Sequence, residues 1–267
     1  MKKSLLFCVL FIVTASEAII VRHDVDPASY EVRSMDYPAV FFLERQGSRK
    51  VCAATLIHPR WALTAAHCTE ETMLGQTLAQ QRRFAVEVAN EAREIDVAIV
   101  HPDYNQSAAS DVDLALLRFT EPLGFPRPAQ LNIDLPEQGR IASLLGWGYS
   151  GRGTSGREFD DGRLRRAENR IVLAEQRLRL LFDDPRTLGA AALPLEGTLG
   201  LGDSGGPAFI DGDAGPVLVG IAVGEVRSES YSEETQGRYG AIAIYERIIN
   251  HLDWIETVIQ SPPPYDS

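Results

Sequence analysis

The stretch GDSGGP, at residues 202–207, places one serine hydroxyl inside a run of glycines. Glycine adopts backbone conformations that are denied to most residues with a Cβ atom. A turn built in this way can direct the N–H groups of Gly202 and Ser204 at one point, where a developing oxyanion is stabilised. The stretch therefore predicts a nucleophilic serine beside two backbone donors.

A serine hydroxyl is a weak nucleophile at neutral pH and needs a base within hydrogen-bond reach. The sequence LTAAHC, residues 63–68, offers His67 as that base. The sequence DLALL, residues 113–117, offers Asp113 as the acid that orients the base. In chain order the base comes first, then the acid, then the serine.

These three contexts, in this order, resemble those of the chymotrypsin-like (trypsin-like) serine proteases. Further short matches are HPDYN at 101–105, GWG at 146–148, VGI at 219–221 and WI at 254–255. The resemblance extends from about residue 37 to residue 259. It implies an all-β fold of two packed six-stranded antiparallel β-barrels with a C-terminal α-helix, and a catalytic cleft between the barrels.

The resemblance also implies a role for each matched residue. Ser204 attacks the scissile carbonyl of a peptide, His67 takes and returns the proton, and Asp113 holds the imidazole in one tautomer. The amides of Gly202 and Ser204 form the oxyanion hole. Asp111 is a rival acid on the same strand face, but the match to DLAL favours Asp113. The implied activity is that of a serine endopeptidase, with no cofactor and no metal.

Length and composition are compatible with this architecture. The 267 residues, 45% of them hydrophobic, suffice for one large unit or two smaller packed ones. Short apolar runs broken by Gly, Pro, Asn and Asp predict two sets of strands with a proline-rich connection between them. We therefore expect a signal peptide over 1–18, an N-terminal β-barrel over 19–130, and a C-terminal β-barrel with the terminal helix over 131–267.

Four segments depart from the strand pattern. Glu246–Gln260 has apolar residues at helical spacing, which predicts an amphipathic helix. Leu173–Leu181 is predicted as a second, shorter helix. Gly146–Gly162, rich in Gly, Ser, Arg and Asp, is predicted as a mobile loop, and the tail Ser261–Ser267 as disordered.

The first 18 residues have the pattern of a secretory signal, with two lysines, an apolar run and a small-x-small site that ends at Ala18. An apolar run of roughly ten residues falls short of the ~20 needed to span a bilayer. We therefore expect secretion, to the periplasm or outside the cell. Cys8 leaves with the signal, and an exported chain favours a disulfide between the remaining cysteines, Cys52 and Cys68. Two free thiols are the alternative.

Charge limits the classes of partner. The signal carries two lysines and one glutamate, net +1, so its removal changes the net charge from −11 to −12. A protein this acidic does not bind nucleic acid or anionic membranes through bulk electrostatics. The expected partner is a protein or peptide substrate, and a protein inhibitor is a further candidate. We expect the mature form to be a monomer with no membrane span.

Substrate preference depends on the positions that the resemblance assigns to the specificity pocket. Thr198, six residues before the nucleophile, falls at the pocket floor, and Val223 and Gly224 fall in its wall. Ala243 stands where the family often has a glycine, which would narrow the pocket. The uncharged floor favours small or medium apolar side chains. Glu225, near the rim, supports the alternative of a basic side chain.

Activation is predicted from the residue that precedes the nucleophile. Members of the family usually bury a new isoleucine N-terminus as an ion pair with this aspartate, here Asp203. Cleavage after Ala18 would itself expose Ile19 as the first residue. We expect the Ile19 amine to pair with Asp203, so that export alone yields the active form.

Two other interpretations of the sequence compete with the protease. Residues 202–206 also fit the G-x-S-x-G nucleophile elbow of α/β-hydrolases, but Pro207 opposes the helix that this fold needs there. A catalytically impaired homologue acting as a binding module would usually lack a member of the triad, and none is missing here. The altered pocket wall keeps this second alternative open.

Overall fold

The structure, a computed structural model, describes residues 19–105, 111–226 and 235–261. The predicted signal peptide and the predicted disordered tail beyond Ser261 lie outside the described residues. Within these ranges, no helix combines the length and the apolar character needed to cross a membrane.

Strands form most of the regular structure. The strands of the first half are β1 (Ile19–Val21), β2 (Val40–Gln46), β3 (Arg49–His58), β4 (Trp61–Thr64), β5 (Phe84–Val88), β6 (Glu91–Val100) and β7 (Ala115–Phe119). Those that follow are β8 (Gln130–Leu131), β9 (Ile141–Gly146), β10 (Ser150–Arg152), β11 (Gly156–Phe159), β12 (Arg165–Ala174), β13 (Arg177–Leu181), β14 (Gly197–Thr198), β15 (Pro207–Gly212), β16 (Gly215–Glu225) and β17 (Ile242–Arg247). The α-helices are α1 (Cys68–Glu71), α2 (Met73–Ala79) and α3 (Leu252–Gln260), and 3₁₀ turns cover Pro27–Tyr30, Ser34–Asp36 and Ile248–His251.

The first barrel is a six-stranded antiparallel sheet in the order β2-β3-β4-β7-β6-β5. Its strands alternate between a buried and an exposed face, as in β5, where Phe84, Val86 and Val88 are buried. Thr64 at the end of β4 pairs with Ala115 at the start of β7. The residues that follow β4 and those that precede β7 therefore emerge at the same edge of the barrel.

The second barrel closes on itself. Its strands run in the order β15-β9-β12-β13-β17-β16, and β16 pairs again with β15. The short strand β8 adds to β16 in parallel outside this ring. The predicted fold class, all-β with two six-stranded barrels and a C-terminal helix, is confirmed.

A third, smaller sheet has the order β11-β10-β1-β14. Its strand β1 lies between β10 and β14, and all three of its residues are fully buried. Ile19–Val21, which the sequence assigned to the N-terminal unit, thus pairs with strands of the second half. Gly146–Gly162, predicted as a mobile loop, contains the β10–β11 hairpin, because pairing with β1 gives these short polar strands a partner.

The predicted helix at Leu173–Leu181 is wrong. This segment is the end of β12 and the whole of β13, joined by a tight turn. Leu178 and Leu180 alternate with more exposed residues and face the core, which suits a strand paired with β17. The C-terminal helix is present but shorter than predicted, because Glu246 and Arg247 complete β17 before the chain turns into helix.

The disulfide between Cys52 and Cys68 is confirmed, with a Cα–Cα distance of 5.9 Å. It joins β3 to α1, immediately after His67. Closing a loop of this size is worth about 3 kcal/mol in the chain-entropy description. The bridge therefore restrains the segment that carries the predicted catalytic base.

Candidate active site

His67 and Asp113 meet at the edge of the first barrel that β4 and β7 define. The Nδ1 atom of His67 lies 2.5 Å from Oδ2 of Asp113, and the backbone N–H of His67 donates to Oδ1 at 2.9 Å. Because an ionised carboxylate only accepts hydrogen bonds, Nδ1 carries the proton and Nε2 is left as an acceptor. Asp113 is buried, with 4% of its surface exposed.

The surroundings favour the charged form of His67. Burial alone would lower the pKa of His67, but the hydrogen bond and charge of Asp113, helped by Glu71 and Glu70, outweigh it and raise that pKa above its ordinary value. The ring is thereby a stronger proton acceptor than a free imidazole.

Ser204 lies in the loop between β14 and β15, and two hydrogen bonds hold this loop against the first barrel. The N–H of Cys52 donates to the carbonyl of Gly202 at 3.1 Å, and that of Ala53 donates to the carbonyl of Ser204 at 2.7 Å. Both carbonyl groups are thereby engaged by β3. The loop that carries the serine is positioned by the barrel that carries the histidine.

The glycines on either side of Ser204 adopt backbone conformations that favour glycine. Gly202 has φ +98° and Gly205 has φ +75°. A Cβ atom on Gly205 would also overlap the carbonyl oxygen of Ala53 and Oγ1 of Thr64. The close approach of the loop to β3 therefore requires glycine at position 205.

The amides of Gly202 and Ser204 are free of acceptors within the described part of the chain. The N–H of Asp203, which lies between them, donates to the carbonyl of Gly200 at 3.1 Å, and that of Gly205 donates to Ala222 at 2.8 Å. The two residues predicted to form the oxyanion hole are thus the ones whose N–H groups are left available.

His67, Asp113 and Ser204 line one cavity of about 490 Å³. Among the hydrogen bonds of the described residues there is none between the Ser204 hydroxyl and His67. Such catalytic hydrogen bonds are often long without substrate and tighten in the complex. The structure therefore brings the three predicted residues to one cavity and places two of them in direct contact.

The predicted specificity residues separate into two groups. Val223, Gly224 and Glu225 line the cavity, whereas Thr198 and Ala243 are buried, with 1% and 0% of their surface exposed, and do not line it. The cavity lining therefore includes the predicted wall residues but not the predicted floor. The Glu225 carboxylate accepts the N–H of Gly237 at 2.8 Å, and burial raises the pKa of Glu225.

Sequence reasoning missed several residues of the cavity wall. Leu199 and Ile244, which line it, follow directly after Thr198 and Ala243, so the predicted positions pointed to the right segments. Arg177 also lines the cavity, and no motif in the sequence marks it. Asp111 lines the cavity too, but it is Asp113 whose carboxylate contacts His67.

Asp203 is fully buried beside the nucleophile. Its carboxylate accepts the N–H of Gly148 at 2.6 Å and that of Gly200 at 2.8 Å. Burial, only partly offset by these hydrogen bonds, raises the pKa of Asp203 to about 7. A Cβ atom on Gly146 would overlap the Asp203 carboxylate, so the site is close-packed.

Ile19 lies on β1, which pairs with β14 a few residues before Asp203 in the chain. Ile19 pairs with Ser150, and Ile20 pairs with Thr198, two residues before Gly200. Gly200 in turn donates to Asp203. Ile19 and Asp203, the two predicted partners, are therefore connected through the segment from Gly197 to Gly200, which pairs with β1 and donates to Asp203.

One group of potential metal ligands comes close together near the cavity. The sulfur atoms of Cys52 and Cys68 lie within 4.8 Å of a ring nitrogen of His67. Because the two sulfurs are bonded to each other, this closeness follows from the disulfide and does not define a metal site.

Comparison with known proteins places the chain in a family. The sequence profile of the trypsin family matches residues 27–255. Kallikrein 1-related peptidase b24 of Mus musculus is 27% identical, over 81% of this chain and 83% of that protein. Kallikrein-8 of Mus musculus is 28% identical, over 81% of this chain and 80% of that protein. Vitamin K-dependent protein C of Mus musculus is 28% identical over 84% of this chain, which spans 49% of that protein's length.

A solved structure gives the same fold. Neuropsin, a serine protease expressed in the limbic system of mouse brain, matches with a TM-score of 0.63 at 23% identity, over 86% of this chain and 98% of that chain. Two barrels, a cleft with a serine and a histidine, and the profile match define a trypsin-like serine protease. The chain belongs to the trypsin family, whose members are serine endopeptidases.

The contact between Gly205 and β3 can be tested by substitution. G205A should reduce peptide hydrolysis by at least ~10²-fold, because the added methyl group pushes the serine loop off β3. G139A is the matched control, since Gly139 also has a positive φ but nothing lies within 4 Å of its Cβ position. G139A should lose only about 1 kcal/mol of unfolding free energy, measured by chemical denaturation. Equal activity and stability of the two variants would contradict the contact.

Proposed function

We propose that this protein is a secreted serine endopeptidase in which His67, Asp113 and Ser204 act as the catalytic triad. The observation that carries the proposal is the contact of His67 with Asp113 in the same cavity as Ser204. The His67 ring accepts a proton at Nε2, because its Nδ1–H is held by the carboxylate. The substrates are proteins or peptides.

The reaction follows from the positions of these groups. The Ser204 hydroxyl attacks the scissile carbonyl carbon while its proton passes to Nε2 of His67. Collapse of the tetrahedral intermediate returns that proton to the leaving amine and leaves an acyl-enzyme. Water, deprotonated by His67, then hydrolyses the ester. Asp113 stabilises the imidazolium formed in each step.

The amides of Gly202 and Ser204 act as the oxyanion hole. Two features support this role: their N–H groups are unused within the described part of the chain, and their carbonyl groups are held by β3. Donors that are already fixed in place stabilise the negative charge as it develops without reorganisation. Removing one such donor typically costs ~10²–10³ in rate.

The specificity pocket is uncharged at its base and takes small or medium apolar side chains. The burial of Thr198 and Ala243 and the position of Leu199 and Val223 in the wall support this preference. Glu225 supports the alternative, a basic side chain, since it lines the same cavity. One oxygen of Glu225 is engaged by Gly237, and burial disfavours its charged form, which weakens that alternative.

Removal of the signal peptide after Ala18 activates the enzyme. The Ile19 amine created by the cleavage forms an ion pair with Asp203, which is buried without a cationic hydrogen-bond partner among the described residues. In the uncleaved chain Ile19 has φ +55°, a strained value for a β-branched residue. Cleavage removes the preceding peptide unit and with it this strain.

Secretion follows from the signal pattern, and the mature enzyme acts as a monomer that a protein inhibitor could block at the cleft. The alternative is a catalytically impaired homologue that binds peptides without cleaving them. The altered pocket wall, with Val223 and Glu225, supports that alternative. Labelling of Ser204 distinguishes the two, because only an activated serine reacts with a fluorophosphonate.

The triad is tested by labelling and by the pH profile. The mature enzyme should react with a fluorophosphonate probe at Ser204, and S204A should not. Because His67 must be neutral to accept the proton and its pKa is raised, kcat/KM should fall on acidification through a pH above about 6.5. D113N should lower kcat by ~10⁴-fold. A folded wild-type enzyme that neither labels nor hydrolyses peptides would establish the binding module instead.

The pocket is tested with chromogenic peptides that differ only in the residue before the scissile bond. Ala, Val and Leu should be cleaved at least tenfold faster than Lys and Arg, because the pocket offers no partner for a desolvated cation. E225Q is the matched variant. If arginine peptides are cleaved fastest and E225Q loses that activity, the basic preference through Glu225 is correct and the apolar pocket is wrong.

Activation is tested by adding one alanine before Ile19 in the mature protein. The extension removes the amine from its place beside Asp203 and should lower kcat/KM by at least ~10²-fold. An alanine added after residue 267 is the control and should have no effect. Equal turnover of the two forms, each checked by its N-terminal sequence, would end the proposal that signal cleavage creates the active form.

A further inference from the structure

A buried carboxylate that belongs to none of the predicted roles lies directly behind Asp113. Glu246 is on β17 of the second barrel and has 2% of its surface exposed. Its Oε1 atom accepts the backbone N–H of Asp113 at 3.0 Å. This hydrogen bond joins the segment that carries the catalytic acid to the barrel that carries Ser204.

Arg177 on β13 binds the same oxygen of this carboxylate. Its Nε atom donates to Oε1 of Glu246 at 2.7 Å, and its Nη2 atom donates to the carbonyl of Asp111 at 2.6 Å. Arg177 thus contacts both ends of the Asp111–Asp113 segment, one directly and one through Glu246. The arginine also lines the active-site cavity.

Other charged groups surround Glu246 on each element packed against it. His251, on the turn before α3, has Nε2 at 3.7 Å from Oε2. Asp111, Glu175 and Arg179 line a second cavity together with Glu246, whereas Asp113 meets Glu246 through its backbone N–H and turns its carboxylate to His67. Burial alone would raise the pKa of Glu246, but the nearby His251 ring and the hydrogen bond and charge of Arg177 lower it, so the carboxylate is ionised at neutral pH.

We propose that Glu246, held by Arg177, is a positioning residue for Asp113 and fixes the His67–Asp113 pair relative to Ser204 across the two barrels. The inference rests on the proposed triad. His67 and Asp113 come from the first barrel and Ser204 from the second, so proton transfer depends on how the barrels are aligned. A misplacement of about 1 Å can cost ~10²-fold in rate.

The ion pair of Glu246 and Arg177 also determines the net charge close to Asp113. The negative charge of the Glu246 carboxylate and the positive charge of the Arg177 guanidinium nearly cancel at a distance. Removing either charge alone leaves the other uncompensated near Asp113 and His67, in a region of low dielectric. An uncompensated cation disfavours the His67 imidazolium, and an uncompensated anion favours it.

The test compares E246Q, R177Q and the double variant. Each single variant should lower kcat at least tenfold with a smaller change in KM. The acid limb of kcat/KM should move by about half a pH unit to lower pH in E246Q and to higher pH in R177Q. The double variant, with both charges removed, should return the limb to the wild-type position while kcat stays low.

The chain offers a matched control on the same strand. Arg247 and Glu137 form an equally buried ion pair, with Nη2 at 2.6 Å from Oε2, and neither residue lines the active-site cavity. E137Q should lower the thermal unfolding temperature, as E246Q does, but should leave the acid limb where it is. This control separates positioning from loss of stability.

Two results would overturn the inference. The first is an acid limb of kcat/KM that does not move in either single variant. The second is a kcat of E246Q and R177Q that equals that of E137Q after each value is divided by the fraction of enzyme labelled at Ser204. Labelling of Ser204 by the fluorophosphonate probe keeps the two proposals apart. If the wild type labels and hydrolyses peptides while E246Q and R177Q behave like E137Q, the triad stands and only the positioning role fails.

Discussion

The arrangement of the site depends on two backbone hydrogen bonds between β3 and the serine loop. The N–H groups of Cys52 and Ala53 donate hydrogen bonds to the carbonyl oxygens of Gly202 and Ser204, respectively. The amides of the same two residues have no acceptor among the described residues, and in our proposal they bind the substrate oxyanion. Because the bonds are made by the backbone, any side chains small enough to allow the approach preserve them, which is why glycine occurs at position 205.

A second connection between the barrels involves the segment of Asp113. There Glu246 and Arg177 of the second barrel reach the segment that precedes β7. The first connection holds the serine loop against the first barrel, and in our proposal the second positions Asp113 against the second barrel. The proposed triad, divided between two barrels, is thus connected in both directions, once by backbone groups and once by charged side chains.

The sequence predicted the parts of the structure that local motifs determine. The contexts of His67, Asp113 and Ser204 identified residues that meet at one cavity, and the cysteine count identified the disulfide. The sequence failed at Leu173–Leu181, whose leucines suit a helix or a strand equally well. The choice is made by pairing with β17, about 65 residues later in the chain, and no local pattern records such a partner.

The candidate site shows the same limit. Glu246 stood at the start of a predicted helix, and its partner Arg177 lay in a segment also predicted as helical. Their ion pair exists only because β13 and β17 are neighbours in the second barrel. Residues recognised by a motif can be read from sequence, whereas residues that act through distant strands become visible only once the strand order is known.

The position of the single disulfide makes the two halves of the molecule respond differently to reducing surroundings. Cys52 and Cys68 both belong to the first barrel, and the remaining cysteine of the sequence, Cys8, lies in the predicted signal peptide. A thiol reductant would therefore destabilise the segment that carries His67. The second barrel, closed by backbone hydrogen bonds alone, would keep its structure. In the reducing cytosol, the protein would therefore lose structure first around His67.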